Sequence, residues 1–191
     1  AITADNNGTS PQVTFKKDAS GNVVKDKSGK PVVLKTINVK RYFTLPHQKI
    51  IVVYRADGSG TTQNLVNMFI KKFPSVWSKA SSSTFTSVFP GNINDIANLG
   101  RFQAATGSAG VTALAAKTKY SITYVEASYA SAQGLGIASL KNANGQFQTA
   151  DAGGTAAFLN GATASSDGKL TFDYDTKNAG AYILGIVSYA L

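Results

Sequence analysis

Arg55, Asp57, Ser59, Gly60 and Thr61 fall within one short stretch, Arg55-Ala-Asp-Gly-Ser-Gly-Thr61. These residue types can do one thing together: hold an oxyanion. A guanidinium offers a planar fork of donors that fits two oxygens of one anion. Serine and threonine hydroxyls add further donors, and glycine lets backbone N–H groups approach a ligand closely. Asp57 can orient Arg55, or accept a proton from a protonated anion oxygen; the orienting role fits better. This is binding chemistry, not bond-making chemistry. The stretch lacks the Gly-Lys-Ser/Thr ending of a nucleotide loop. Ser108 has no recognisable histidine partner, so nucleophilic catalysis is not expected.

An anion site needs elements that aim these groups. Ile50-Ile-Val-Val-Tyr54 is a continuous apolar run, rich in β-branched residues, and predicts a strand buried on both faces. From Thr62 to Lys72, Leu65, Val66, Met68, Phe69 and Ile70 give a helix its apolar face, and Phe73-Pro74 ends it. The first N–H groups of that helix, those of Gly60, Thr61 and Thr62, lack intrahelical partners and carry the positive end of its dipole. Spacing alone fits a plain helix cap equally well, with Ser59 or Thr61 as N-cap.

The remainder of the chain alternates strands and helices, which predicts an α/β sheet domain. Residues 81–88 read as a Ser/Thr-rich strand. Ala105-Thr-Gly-Ser-Ala-Gly110 is a small-residue turn before a helix from Val111 to Lys117. Tyr120 to Glu126 reads as a strand, Ala127 to Gln133 as a short helix, and Asn142-Ala-Asn-Gly145 as a hairpin turn. Residues 151–161 are expected to be helical and 181–191 strand-like. Glu126 fits hinge-side hydrogen bonding as well as a ligand role, Trp77 fits packing, and His47 reads as a loop residue.

Residues 1–49 differ in character. Asp18-Ala-Ser-Gly-Asn-Val-Val24 and Asp26-Lys-Ser-Gly-Lys-Pro-Val-Val33 resemble each other, each turning at Asp and Gly and then extending. A basic β-hairpin or ribbon follows, with an α/β lobe over residues 50–191. Two carboxylates eight residues apart are too few for a calcium loop.

Net charge is +9, and nine Lys/Arg against three Asp/Glu in residues 1–50 account for most of it. Such a balance favours anionic partners, but these charges are not interleaved with aromatics, and no nucleic-acid motif occurs. The chain has no cysteine and one histidine, which removes disulfides, thiolate chemistry and multi-histidine metal sites. No metal or cofactor is expected. No apolar run reaches the ~20 residues of a membrane span, and Ala1 to Asp5 shows no signal-peptide pattern.

Val53-Tyr-Arg-Ala-Asp-Gly-Ser-Gly-Thr-Thr62 closely resembles the phosphate-contacting segment of the PstS family, the substrate-binding proteins of phosphate ABC transporters, and particularly the DING-type branch. Ala105-Thr-Gly-Ser-Ala-Gly-Val111, Ile122-Thr-Tyr-Val-Glu126 and Tyr182-Ile-Leu-Gly185 resemble further family segments, with Ile183 where proline is usual. The resemblance implies one lobe of a type II periplasmic-binding-protein fold: a mixed, mostly parallel sheet flanked by helices, here with an N-terminal β-ribbon. It implies phosphate held by Arg55, Ser59, Gly60 and Thr61, with Asp57 beside the arginine, and no catalysis. Its implied partners are inorganic phosphate, a first lobe or second chain, and the transporter permease, in a periplasmic or extracellular setting.

First-lobe segments of the family are not found in the chain. Three readings stay open: a fragment, a chain that pairs with another carrying the missing lobe, or a lobe reused as an extracellular structural, adhesive or self-assembling module.

Overall fold

The structure is a computed structural model that describes residues 3–44 and 47–187. The chain divides into two compact units, Ala1–Gln48 and Lys49–Leu191.

In the first unit, β1 (Thr3–Phe15) pairs antiparallel with β2 (Val33–Thr44), with an irregularity between Asn6 and Thr9. The connecting segment closes on itself. Lys16 N–H donates to Val32 O at 2.8 Å, Val24 N–H to Lys16 O at 2.8 Å, and Val32 N–H to Val24 O at 2.9 Å. The three residues are eight apart, the length of the sequence repeat. Each repeat makes the same turn. Asp18 Oδ1 accepts from the N–H groups of Ser20 and Asn22, and Asp26 Oδ1 from those of Ser28 and Lys30. Gly21 and Gly29 close the turns at φ +86° and +80°, a left-handed conformation that a side chain would strain. The expected ribbon and its repeat are both present. The two carboxylates serve backbone donors, and no cluster of three or more His, Asp or Glu suited to a metal occurs among the described residues.

The second unit centres on a parallel sheet in which β3 (Ile51–Arg55) lies between β4 (Phe102–Ala105) and β5 (Ser121–Ile122). Three helices matter to it: α1 (Gly60–Lys72), α3 (Gly107–Lys117) and α4 (Ala127–Ala132), with a single helical turn, α2 (Phe85–Val88), between the first two. Strand side chains alternate between faces. Val53 is fully buried against Val111 and Ala115 of α3. Its neighbour Tyr54 turns the other way and stacks on Phe85 at 4.8 Å, in an aromatic group that continues through Phe89, Phe102 and Tyr124. A second core forms where Met68 of α1 meets Phe158, Tyr174, Ala181 and Ile183. Phe158 belongs to α5 (Ala152–Leu159), and β6 (Leu140–Lys141) and β7 (Phe147–Gln148) form the hairpin expected around Asn142–Gly145.

Four expectations need correction. Residues 81–88 are not a strand: Phe85 and Phe89, four residues apart, both join the aromatic group across one helical turn, and Val88, beside Phe89 in sequence, is buried. The strand over 120–126 is paired only at Ser121 and Ile122. Beyond it side chains take the backbone groups a ladder would use: Thr123 Oγ1 donates to Val53 O, and Arg55 N–H donates to Tyr124 Oη. Within β3 only Val53 is fully buried, because a three-stranded sheet leaves its neighbours part-covered. Residues 181–187 form turns rather than a strand, although Ala181 and Ile183 are core; 188–191 lie outside the described residues.

Candidate oxyanion-binding site

In a parallel α/β sheet, the loops after the strands' C-terminal ends gather at one edge, and ligand sites form there. Three such ends meet here. β3 delivers Arg55 and Asp57, β4 is followed by Gly107 and Ser108, and the segment after β5 carries Tyr124 and Glu126.

Arg55 and Asp57 form a two-point ion pair. Nε donates to Oδ1 at 2.8 Å and Nη2 to Oδ2 at 2.5 Å. The Arg55 side chain is 13% exposed, so the guanidinium is held rather than free to sweep through solvent. Asp57 Oδ1 also accepts from Gly107 N–H at 3.0 Å. Gly107 has φ +69°, a left-handed conformation that favours glycine, as the chain turns from β4 into α3. The Arg55 hydrogen bonds, then that from Gly107, hold the Asp57 carboxyl well below the ordinary carboxylate range; Asp57 in turn raises the pKa of Arg55. The orienting role for Asp57 therefore has its geometry.

The start of α1 is built as a donor array. Ser59 is the N-cap, extended at φ −142°, and its Oγ accepts from Thr62 N–H at 3.3 Å. Thr62 N–H is thus taken, contrary to the expectation that it could serve a ligand. Gly60 and Thr61, the first two helical residues, keep N–H groups without intrahelical partners. Ser59 is buried, Thr61 half-buried and Gly60 exposed, so solvent reaches this helix start over Gly60. Accepting at Oγ leaves the Ser59 hydroxyl proton free to donate.

Sequence reasoning gave no ligand role to Ser108 or Tyr124, and left Glu126 between hinge-side hydrogen bonding and a ligand role. Arg55 Nη1 donates to Ser108 Oγ at 3.3 Å. Ser108 Oγ donates to Glu126 Oε2 at 2.8 Å, and Thr61 Oγ1 to Glu126 Oε1 at 2.9 Å. Tyr124 Oη is 2.8 Å from Thr62 Oγ1 and accepts from Arg55 N–H at 3.2 Å. Burial raises the Tyr124 pKa, keeping that hydroxyl protonated. Partial burial also pushes Glu126 up, but hydrogen bonds from its own backbone, Ser108 and Thr61, with the Arg55 charge, outweigh it and hold the carboxyl below its ordinary value. The signal for these residues was positional: each follows a strand that flanks the Arg55 strand. His47 is exposed, in a segment without regular structure.

A family model described as a PBP superfamily domain matches residues 20–191. Phosphate-binding protein PstS of Methanocaldococcus jannaschii is 38% identical over 114 residues, covering 60% of this chain and 28% of that protein. PstS of Pasteurella multocida is 39% identical over 103 residues, 54% of this chain and 27% of the relative. PstS3 of Mycobacterium bovis is 31% identical over 159 residues, 80% of this chain and 40% of the relative. The chain thus spans well under half the length of these relatives. A solved structure of a periplasmic phosphate-binding protein, PfluDING with phosphate bound, aligns with TM-score 0.48 at 23% identity, covering 87% of this chain and 47% of that one. The PstS-type resemblance read from the Arg55–Thr61 stretch is borne out by these relatives.

Proposed function

The chain belongs to the PBP superfamily, and from that premise we propose that it binds inorganic phosphate non-covalently, as part of the substrate-binding component of a phosphate ABC transporter. One observation carries the reading: a guanidinium fixed by Asp57 is joined through Ser108 and Glu126 to Thr61, which with Gly60 opens α1 with N–H groups free of intrahelical partners. Arg55 supplies charge, and its Nη1 and Nη2 each keep a proton not used by Asp57 or Ser108. Gly60 and Thr61 supply backbone donors, and Ser59 and Thr61 hydroxyl donors, on the positive end of the helix dipole. Nothing in this set makes or breaks a bond, so the protein is read as a binder and not an enzyme.

The partners that follow are a second lobe closing over the anion and a transporter permease, in the periplasm or outside the cell. A single lobe leaves one side of the ligand to water, which weakens every hydrogen bond made to it. No helix among the described residues is long and apolar enough to cross a membrane.

Isothermal titration of phosphate-stripped protein tests the reading. Saturable binding near one equivalent is expected, weakened about a hundredfold by Arg55→Ala, the scale for losing a charge-assisted pair. Absence of heat up to millimolar phosphate, or an unaffected Arg55→Ala protein, would overturn it.

A further inference from the structure

The hydroxyls best placed to grip an anion are already occupied. Thr61 has one hydroxyl proton and gives it to Glu126 Oε1; Ser108 has one and gives it to Glu126 Oε2. The carboxylate therefore sits where two acceptor oxygens of a ligand would sit.

Charge sharpens the point. The ionised groups of the site are Arg55, Asp57 and Glu126, which sum to one negative charge. Asp57 is spent on Arg55 and Gly107. Glu126 is the unbalanced charge. Any anion oxygen within hydrogen-bond reach of Thr61 Oγ1 lies no more than about 6 Å from Glu126 Oε1, since each hydrogen bond spans about 3 Å. At that separation, in a half-buried setting, two like charges repel by at least about one tenfold step in affinity.

We propose that Glu126 is the resident anion of this site: it holds the Thr61 and Ser108 hydroxyls in the absence of ligand, and an oxyanion binds by displacing it from them. Glu126 is thus a positioning and competing residue, acting on the ligand through Thr61 and Ser108. The inference rests on the phosphate reading and adds a device to it. Once displaced, Glu126 loses two donors and gains a negative neighbour. Both changes favour its protonated form, so phosphate binding takes up a proton. The groups facing Glu126 are the Arg55 guanidinium from β3, with Asp57 behind it, the Thr61 hydroxyl from α1 and the Ser108 hydroxyl from α3. Arg55 keeps its charge throughout and Asp57 is held ionised by it, so the proton taken up on binding goes to Glu126.

The sign of the pH dependence follows. The protonation midpoint of Glu126 is low in the free protein and higher in the complex, so affinity rises as pH falls from the second midpoint toward the first. The probe is inorganic phosphate, titrated calorimetrically into wild-type, Glu126→Gln and Glu126→Ala proteins at several pH values from about 4 to 7, around the ordinary carboxylate range. Folding of each variant is checked by circular dichroism. Gln is nearly isosteric and cannot titrate, so it also controls for the ionisation of phosphate itself. Both variants should bind phosphate about tenfold more tightly than wild type at pH 7, and the extra pH dependence of wild type should vanish. In wild type alone, the carboxyl carbon-13 resonance of Glu126 should report a higher midpoint with phosphate than without.

Equal or weaker binding by both variants, with an unmoved Glu126 midpoint, would leave the phosphate reading standing and overturn the competition. Absence of binding in all three proteins would overturn both.

Discussion

The Arg55–Asp57 pair is what the site turns on, and its energetics are set by pH. The folded-state pKa of Asp57 lies below its unfolded value, because the ionised form is hydrogen-bonded by Arg55 and by Gly107 N–H. A depressed carboxyl stabilises the fold above the unfolded pKa, near 4, and loses that contribution as pH falls toward the folded one. Glu126 is shifted in the same direction. Urea midpoints should therefore drop between pH 7 and pH 3 in the wild type. Asp57→Asn should start lower at pH 7, having lost the ion pair, and fall less on acidification. A parallel fall in both proteins would mean that Asp57 is not ion-paired in solution. Ser59 offers a second check, because its side chain caps α1. Ser59→Ala should cost about 1 kcal/mol in denaturant unfolding through the cap alone.

At the scale of elements, the site is a meeting of three strand ends. Gly107 shows how strictly the backbone is held: it donates its N–H to Asp57 and turns the chain into α3 at φ +69°. Gly107→Ala puts a Cβ into the left-handed region and should cost about 1–2 kcal/mol. Phe158 is fully buried at the centre of the second core, and Phe158→Ala should cost about 3–5 kcal/mol by the same measurement. Residue patterns announced some of this organisation and concealed the rest. The run Ile50–Tyr54 and the apolar face from Leu65 to Ile70 are local signals, and strand and helix follow them closely. So do the Asp-x-Ser-Gly turns, where one residue's carboxylate and another's positive φ settle the conformation within four residues. The stretch over 81–88 misleads because Ser and Thr dominate its composition, while Phe85, with Phe89 just beyond it, decides its structure through long-range aromatic contacts. Glu126 was visible as a residue but not as a neighbour of Thr61. They are 65 positions apart, and only the parallel order β4–β3–β5 joins them.

Across the whole molecule, two units of unlike construction share one chain. The first is a two-stranded ribbon with Lys16, Lys17, Lys25, Lys27, Lys30 and Lys35 exposed and its tip carboxylates engaged by backbone N–H groups. A ribbon of two strands has little apolar burial to hold it closed. Its amides should exchange with deuterium orders of magnitude faster than those of Val53 or Val66, which are fully buried. Equal protection in the two units would show that the ribbon is covered in solution. The second unit carries the anion site, and the central claim is that its α1 N-terminus grips phosphate. The most direct measurement is an amide nitrogen–proton NMR titration with phosphate. The account predicts saturable shifts led by Gly60 and Thr61, with Gly107 and Ser108 following and the ribbon lysines unmoved. Shifts confined to the ribbon, or none at all up to millimolar phosphate, would contradict it.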